Sequence, residues 1–196
     1  MTRNDFIEQL EGYLKRVRSA YSYLDAYEAI IDAYYKNPNE IQLAPGFFTV
    51  TSYSLYNSLL MELAKLYCIK RKSSERTISK LINLLQDNRH LFKTEDDIHS
   101  LIEKATLKLG DMEQEIHILK TRRDNFMAHN DPLCFNRNFD PGQEFHVSIW
   151  SIMKLICFAE ELCKHVFSLI DDREVCTRMR NSGDLNKLLA YTHKNK

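Results

Sequence analysis

An arginine and a histidine, six positions apart, are the side chains in this sequence best suited to chemistry on a phosphate. Arg123 carries a permanently charged guanidinium, which can bind a phosphate through two parallel hydrogen bonds. His129 carries an imidazole, which titrates near neutral pH and can therefore serve as a base or as an acid. His129 would deprotonate a ribose 2′-OH or protonate the leaving oxygen, and Arg123 would stabilise charge on the phosphorane. The pair is compatible with RNA cleavage that needs no metal ion and no cofactor.

Arg123 lies where the helical pattern calls for an apolar residue. Apolar side chains recur three and four positions apart along this stretch, which is typical of the packed face of a helix. They are Ile98, Ile102, Ala105, Leu109, Met112, Ile116, Leu119 and Phe126. A guanidinium on such a face loses water and needs an anionic or hydrogen-bonding partner. That partner is a group of this chain, such as Asp124, Glu115 or a neighbouring helix, or a phosphate from outside, so structural and catalytic roles both stay open.

Helix geometry limits how Arg123 and His129 can act together. Six residues of an ideal helix turn the chain by about 600°, so the two side chains do not share one face. Arg122 is seven residues from His129 and aligns with it better. A joint site therefore needs the helix to unwind near Ala128, or a second copy of the chain. His129 also precedes Pro132, which ends the helix, and a helix C-terminus by itself favours a histidine.

The first half of the chain predicts three helices. Thr2 and Asp5 form a shortened capping box for a helix over residues 3–36, and Pro38 ends it. A loop is expected over 37–46, and then a helix over 49–69, although its opening residues FFTVTSYSLY also have strand propensity. The polar connection 70–76 (KRKSSER) is either a solvated loop or a segment that steers an anionic partner. Ser74 is expected to cap a third helix over 75–86.

The second half predicts one long helix and one strongly apolar helix. After a break over 87–93, Thr94 and Asp97 are expected to cap a helix that continues to the motif, with Gly110 marking a bend or a close approach of another backbone. An irregular loop follows over 133–144. The helix expected over 145–171 is apolar on most sides, so it belongs in a core or at a subunit interface. A short helix over 182–191, capped by Ser182 or Asp184, closes the chain.

Together these elements predict an all-α, antiparallel helical bundle in one domain over residues 1–196. The chain has 27 Lys and Arg against 27 Asp and Glu, which argues against binding nucleic acid or a membrane through bulk charge but not against a local phosphate site. Its five cysteines do not form the closely spaced pairs that are typical of zinc ligands, so a zinc site is not predicted. The first residues lack a signal-peptide pattern and no membrane span is predicted, so we expect a cytoplasmic protein.

The segment RDNFMAHND, Arg123–Asp131, resembles the R-x(4–6)-H motif of the HEPN superfamily (higher eukaryotes and prokaryotes nucleotide-binding). The order of a long N-terminal helix, a motif late in a long helix and a following apolar helix resembles its abortive-infection, AbiU-like branch. The resemblance covers nearly the whole chain. The family arginine falls on Arg123, its polar neighbour on Asp124 and its histidine on His129. The residues expected to support this pair are Arg122, Asp124, Asn125, Asn130 and Asp131.

The resemblance implies a homodimer whose two motif helices converge on a composite cleft. It also implies a metal-independent endoribonuclease of a toxin or antiphage (abortive infection) system, with RNA as substrate and a cognate antitoxin or regulatory protein as a further partner. Asp131 stands where some HEPN toxins carry a tyrosine that a partner nucleotidyltransferase modifies, so that form of control is not implied. Two alternatives stay open: a non-catalytic helical dimer that binds RNA, a nucleotide or a protein, and an antitoxin or adaptor that binds another chain through the helix over 145–171.

Overall fold

A computed structural model describes residues 1–68, 76–124 and 146–177, and residues 183–184, 187–188 and 190 near the C-terminus. Over the first three of these ranges, seven α-helices and one 3₁₀ turn (Arg89–Leu91) form, and no described residue lies in a strand. The helices are α1 (Arg3–Lys36), α2 (Pro38–Ile41), α3 (Pro45–Tyr67), α4 (Ile78–Asp87), α5 (Glu95–Gly110), α6 (Glu113–Arg122) and α7 (Ile149–Asp171). The all-α prediction is confirmed.

Helix α1 is the central element, because α3 and α7 both pack against it. Side-chain contacts give the directions of the helices. Along α1, Arg16 contacts Glu62 and Tyr34 contacts Thr49, so α3 runs antiparallel to α1. Helix α7 is also antiparallel to α1, since Arg3 contacts Asp171 while Tyr21, farther along α1, contacts Glu160. The antiparallel arrangement is therefore confirmed for both pairs, and α3 and α7 necessarily run in the same direction.

The main core is a cluster of buried side chains to which α1, α3, α4, α5, α6 and α7 contribute. A second, smaller cluster joins the end of α1 to α2 and the start of α3 through Ile30, Ala33, Ile41 and Phe48. Helix α7 is buried along most of its length, from Ile152 to Ile170, as its apolar sequence predicts. Trp150 in its first turn is the exception, with 82% of its surface exposed. None of the helices in the described ranges is both long and apolar enough to cross a membrane.

Local capping signals explain where α1, α4 and α7 begin. Thr2 Oγ1 accepts a hydrogen bond from the Asp5 backbone N–H, and the Asp5 carboxylate accepts one from Thr2 N–H, so the predicted capping box is confirmed. Helix α4 begins at Ile78 and is capped by the Thr77 hydroxyl, so the start predicted at residue 75 is wrong. The predicted cap of α4, Ser74, lies outside the described residues.

Helix α7 begins at Ile149, because the Ser148 hydroxyl accepts from Ser151 N–H at 3.0 Å and caps it there. The start predicted at residue 145 is therefore wrong, and the loop predicted over 133–144 lies outside the described residues. Near the C-terminus the described residues are helical, as the prediction over 182–191 requires. Ser182, one of its two predicted caps, is outside the described residues, and Asp184 is already within the helix.

Two prolines begin helices where the sequence had predicted a loop over 37–46. Pro38 opens α2 and Pro45 opens α3, four residues earlier than predicted. Proline suits a first helical position because its missing N–H would have no intrahelical partner there. The helical assignment of FFTVTSYSLY is confirmed, since these residues lie inside α3.

The prediction of one continuous helix from Thr94 to the motif is wrong. Helix α5 ends at Gly110, and α6 begins at Glu113 after a tight turn in which Met112 N–H donates to Leu109 O. Met112 is buried, so the turn is anchored in the core. A methyl group added at Gly110 would meet nothing within 4 Å, so this glycine marks a change of direction and not a close backbone approach. Helix α5 begins at Glu95 with Thr94 as its N-cap residue, as predicted, but the Thr94 side chain makes no capping hydrogen bond, so the capping box itself does not form.

Candidate functional site

Helix α6 carries two consecutive arginines at its C-terminal end, where it packs against α3. Arg122 and Arg123 are each only 6% exposed, although each carries a permanent charge. The backbone widens into a π-type turn at Arg123 and Asp124, a feature that often occurs at functional sites. Leu119, fully buried one turn earlier, fixes this end of α6 to the core.

Arg123 is held by a neighbouring carboxylate and by the end of α3. Its Nε donates to Asp124 Oδ1 at 2.7 Å, its Nη2 lies 2.6 Å from the same oxygen, and its Nη1 donates to Cys68 O at 3.3 Å. Two of the partners that the sequence offered are therefore in contact: Asp124, and a neighbouring helix through Cys68 at the end of α3. Glu115 instead pairs with Lys154 of α7 at 2.7 Å.

Arg122 contacts a different part of α3. Its guanidinium carbon lies 5.2 Å from the centre of the Tyr56 ring, a cation–π distance. The Tyr56 hydroxyl donates to Val147 O at 2.8 Å and so links α3 to the residues that precede α7. Burial, together with nearby Tyr27, raises the pKa of Tyr56 despite the opposing charge of Arg122, so the phenol keeps its proton for this bond.

The two guanidiniums therefore diverge. Tyr56 and Cys68 are twelve positions apart in α3 and its cap, a rise of about 18 Å along the helix axis. Arg122 is directed toward the middle of α3 and Arg123 toward its C-terminal end. The structure does not bring both arginines to one place, and it assigns them to separate surroundings.

A basic pocket lies beside Arg123, with a volume of about 570 Å³. We use the name basic pocket for the cavity lined by five cations: Lys15, Arg16, Lys65, Arg76 and Arg123. Sequence analysis missed the first three, because they come together only when α1 and α3 pair in antiparallel fashion. Arg76 belongs to the charged connection over 70–76, for which the sequence predicts either a solvated loop or a segment that steers an anion.

The carboxylate of Glu62 lies next to this pocket and contacts two of its cations. It pairs with Arg16 at 3.0 Å and with Lys65 at 2.5 Å. Burial opposes ionisation of Glu62, but these two cations outweigh it, so the pKa of this carboxyl lies below its usual value. Glu62 is therefore ionised at neutral pH and offsets part of the positive charge.

A second cavity, of about 680 Å³, lies beside Tyr56 and has the opposite character. Its lining includes the acidic residues Asp25, Glu28 and Asp32 together with His146. Carboxylates repel a phosphate, so of the two cavities the basic pocket is the one suited to an anionic ligand.

The remaining motif residues, Asn125, His129, Asn130 and Asp131, lie outside the described residues. Within the described ranges, no group of three or more His, Cys, Asp or Glu side chains is placed to hold a metal ion. Four cysteines, Cys68, Cys157, Cys163 and Cys176, are free thiols, and Cys134 is outside the described part.

No curated protein matches the chain, and no solved structure matches it. A family model does match: that of AbiU2, a HEPN family, aligns with residues 3–191. Because this match spans nearly the whole chain and agrees with its all-helical fold, the protein belongs to the HEPN AbiU2 family.

Proposed function

We propose that this protein is a metal-independent endoribonuclease of a toxin or abortive-infection system, with Arg123 and His129 as its reacting pair. Membership of the AbiU2 family indicates a HEPN-type function related to abortive infection or to toxins. The observation that carries the finer assignment is the position of Arg123, a nearly buried guanidinium that also lines a pocket with four other cations. A charge held this way is preorganised for a phosphate. The guanidinium therefore needs little reorganisation when the reaction occurs.

In the proposed reaction, His129 removes the proton from a ribose 2′-OH and the 2′-oxygen attacks the adjacent phosphorus. The bond between phosphorus and the 5′-oxygen breaks, and that oxygen takes a proton from an acid. The products are a 2′,3′-cyclic phosphate and a free 5′-OH. Arg123 neutralises the negative charge that develops on the non-bridging oxygens. His129 is the base, water gives the proton to the 5′-oxygen, and Arg123 stabilises the charge, so the reaction as proposed has no step for a metal ion.

The proposal includes a homodimer, because Arg123 and His129 lie on different faces of an ideal helix. A second copy can supply the histidine that faces the arginine of the first. Exposed apolar side chains offer a surface for it: Phe47, Val50 and Tyr53 follow one another along α3 and are 63–66% exposed, and Trp150 is 82% exposed.

We define Phe47, Val50, Tyr53 and Trp150 as the dimer patch, and its neighbours in sequence relate it to Tyr56 and so to Arg122. Tyr53 is one turn before Tyr56, the ring on which Arg122 stacks. Tyr56 in turn donates to Val147, three residues before Trp150. A second copy packed on the patch by two-fold symmetry brings its own α6 end close to this one, as a composite cleft requires.

The test is cleavage of a mixed RNA pool by the purified protein in the presence of EDTA. We expect products with 2′,3′-cyclic phosphate ends, and loss of cleavage by at least about 100-fold in His129→Ala and in Arg123→Ala. His117→Ala, which removes an exposed histidine of α6, is the matched control and should cleave like the wild type. Retained cleavage in His129→Ala, or cleavage abolished by EDTA, would contradict the proposal.

A non-catalytic helical dimer that binds RNA or a protein is the alternative, and one observation favours it. The guanidinium of Arg123 is already engaged by Asp124 and Cys68, which is what a structural arginine would do. In that case, Arg123→Ala lowers the free energy of unfolding by about 1–3 kcal/mol and the folded wild type does not cleave RNA. Asp124→Asn separates the roles, because it removes the ion pair while leaving the guanidinium in place. Chemical denaturation of both variants measures the structural part.

A further inference from the structure

The basic pocket has the size and the charge of a ligand site. Its volume of about 570 Å³ lies within the range of small-molecule sites in proteins. Lys15 and Arg16 reach it from α1, Lys65 from α3, and Arg76 from the residue pair before α4. Helices distant in sequence thus place cations around one concavity, where their fields add.

Two of these cations have no carboxylate partner in the described part of the chain. Arg16 and Lys65 share Glu62, and Arg123 pairs with Asp124. Lys15 and Arg76 make no ion pair with any described residue, and the described lining contains no carboxylate. The Arg76 guanidinium nevertheless lies against α1, since a methyl group added at Gly12 would be 3.6 Å from its Nη1. The pocket therefore holds an excess of positive charge that an anion can neutralise.

The lining is extended along α1 and is poor in groups that recognise a base. Gly12, Lys15, Arg16 and Ser19 all line the pocket, and the span from 12 to 19 corresponds to a rise of about 10 Å along the helix. This is longer than one phosphate group. The aromatic residue of the lining, Tyr13, is only 3% exposed, so its ring face cannot stack on a base. Contacts of this kind follow a phosphate backbone without regard to sequence.

We propose that the basic pocket binds consecutive phosphates of a single nucleic-acid strand and so holds the strand next to Arg123. Lys15 and Arg76 contact phosphates that do not react, while Arg123, which lines the same pocket, contacts the phosphate that does. The inference rests on the proposed function only for the identity of the strand as an RNA substrate. Binding of phosphates is a separate property, which a strand without 2′-OH groups can reveal.

The experiment measures the affinity of the full-length protein for a short fluorescently labelled single strand, as DNA and as 2′-O-methyl RNA of the same sequence, which cannot be cleaved, by anisotropy in EDTA. The test variant is Lys15→Gln with Arg76→Gln. The matched control is Lys104→Gln with Arg89→Gln, which removes the same two charge types from surface positions outside the pocket. Loss of two contacts should weaken binding about 25-fold at about 0.1 M salt and reduce the slope of log K against log salt by about 1.4.

Equal losses on the DNA and RNA strands in the test variant, with the control unchanged, support the proposal whether or not the protein cleaves RNA. Because DNA has no 2′-OH, a failure of the ribonuclease proposal leaves this binding intact, and the two are distinguishable. Equal affinities of the test variant, the control and the wild type would overturn it. Competition with ATP addresses the other source of phosphates: pocket-dependent binding of ATP without pocket-dependent binding of the strand would also overturn it. Thermal melting of both double variants verifies that each is folded.

Discussion

At the residue scale, Glu62 reduces the net positive charge of the basic pocket. Its carboxylate binds Arg16 and Lys65 and so joins α1 to α3 while it neutralises part of the pocket. The pKa of Glu62 is lowered in the folded protein, because the two cations outweigh the effect of burial. A carboxyl with a lowered pKa stabilises the fold above its unfolded-state pKa, and this stabilisation is lost as pH falls through the folded-state value.

We predict that Glu62→Gln has two opposite effects. At pH 7 it lowers the free energy of unfolding by about 1 kcal/mol, because both ion pairs are partly exposed and each contributes little. The difference from the wild type should shrink as pH falls below 4.5, the usual pKa of the carboxyl, since Glu62 then becomes protonated in both states. Affinity for a single strand should instead rise several-fold, since one phosphate-repelling charge is gone.

Denaturation curves across pH and strand anisotropy check these effects. Glu8→Gln is the control, since it removes an exposed carboxylate of α1 outside the pocket. A stability difference that grows as the solution becomes more acidic would contradict the role assigned to Glu62.

The sequence contained part of the site at this scale. The position of Arg123 on an apolar face predicted that it would lose water, and its burial agrees with that. Its partners could not be selected from the sequence, because Asp124, Glu115 and a neighbouring helix were all candidates and only the packing of α6 against α3 distinguishes them. Lys15 and Lys65 gave no signal, since lysines on exposed helix faces are common and only the pairing of α1 with α3 brings these two together.

At the element scale, the break between α5 and α6 determines the direction in which α6 reaches the site. Gly110 ends α5, and the turn at Met112 restarts the helix. The apolar period continued through this point, which is why the sequence predicted one helix. Periodicity detects a buried face, but it does not detect a turn that keeps its apolar residue, here Met112, in the core.

We predict that Gly110→Ala stabilises the protein by about 0.5–1 kcal/mol, because alanine is the better helix former and restricts the unfolded chain. Nothing lies within 4 Å of the added methyl group, so no steric cost is expected. Cleavage and strand binding should not change, since the turn is anchored by Met112 and not by the glycine. Thermal or urea denaturation measures the effect. A destabilised variant would show that the turn needs the freedom of glycine.

Capping signals predicted helix starts only where the hydroxyl had no competitor. Thr2 caps the first helix and no neighbouring residue competes with it for that role, so the prediction was confirmed. For α4, the sequence offers both Ser74 and Thr77, and the structure uses Thr77. The signal was of the right type in both places, but its position depended on where the apolar face meets the core.

At the scale of the whole molecule, a composite site predicts complementation between inactive variants. In a two-fold dimer of Arg123→Ala with His129→Ala, one of the two sites lacks both residues and the other has both. If the chains exchange at random, half of the dimers are mixed, so about a quarter of the wild-type cleavage should return. Co-refolded mixtures of the two variants, assayed beside each variant alone, measure this recovery.

The matched control combines each variant with a change in the dimer patch, Tyr53→Glu with Trp150→Glu, which should convert the dimer to a monomer and prevent recovery. Leu107→Glu, at an equally exposed apolar position of α5 outside the patch, should leave the dimer unchanged in light-scattering measurements. Absence of recovery from a mixture shown to contain mixed dimers would place Arg123 and His129 of each site within one chain.

The divergence of Arg122 and Arg123 has an evolutionary consequence. Counted to His129, Arg123 gives the spacing R-x5-H and Arg122 gives R-x6-H, and both satisfy the family pattern. A mutation that removed one of the two arginines would therefore leave a sequence that still matches the spacing of the motif. The replacement would not be equivalent, because Arg122 is stacked on Tyr56 and Arg123 faces the basic pocket. Homologues that keep only one of the two arginines are therefore expected to differ in activity even though their motifs look alike.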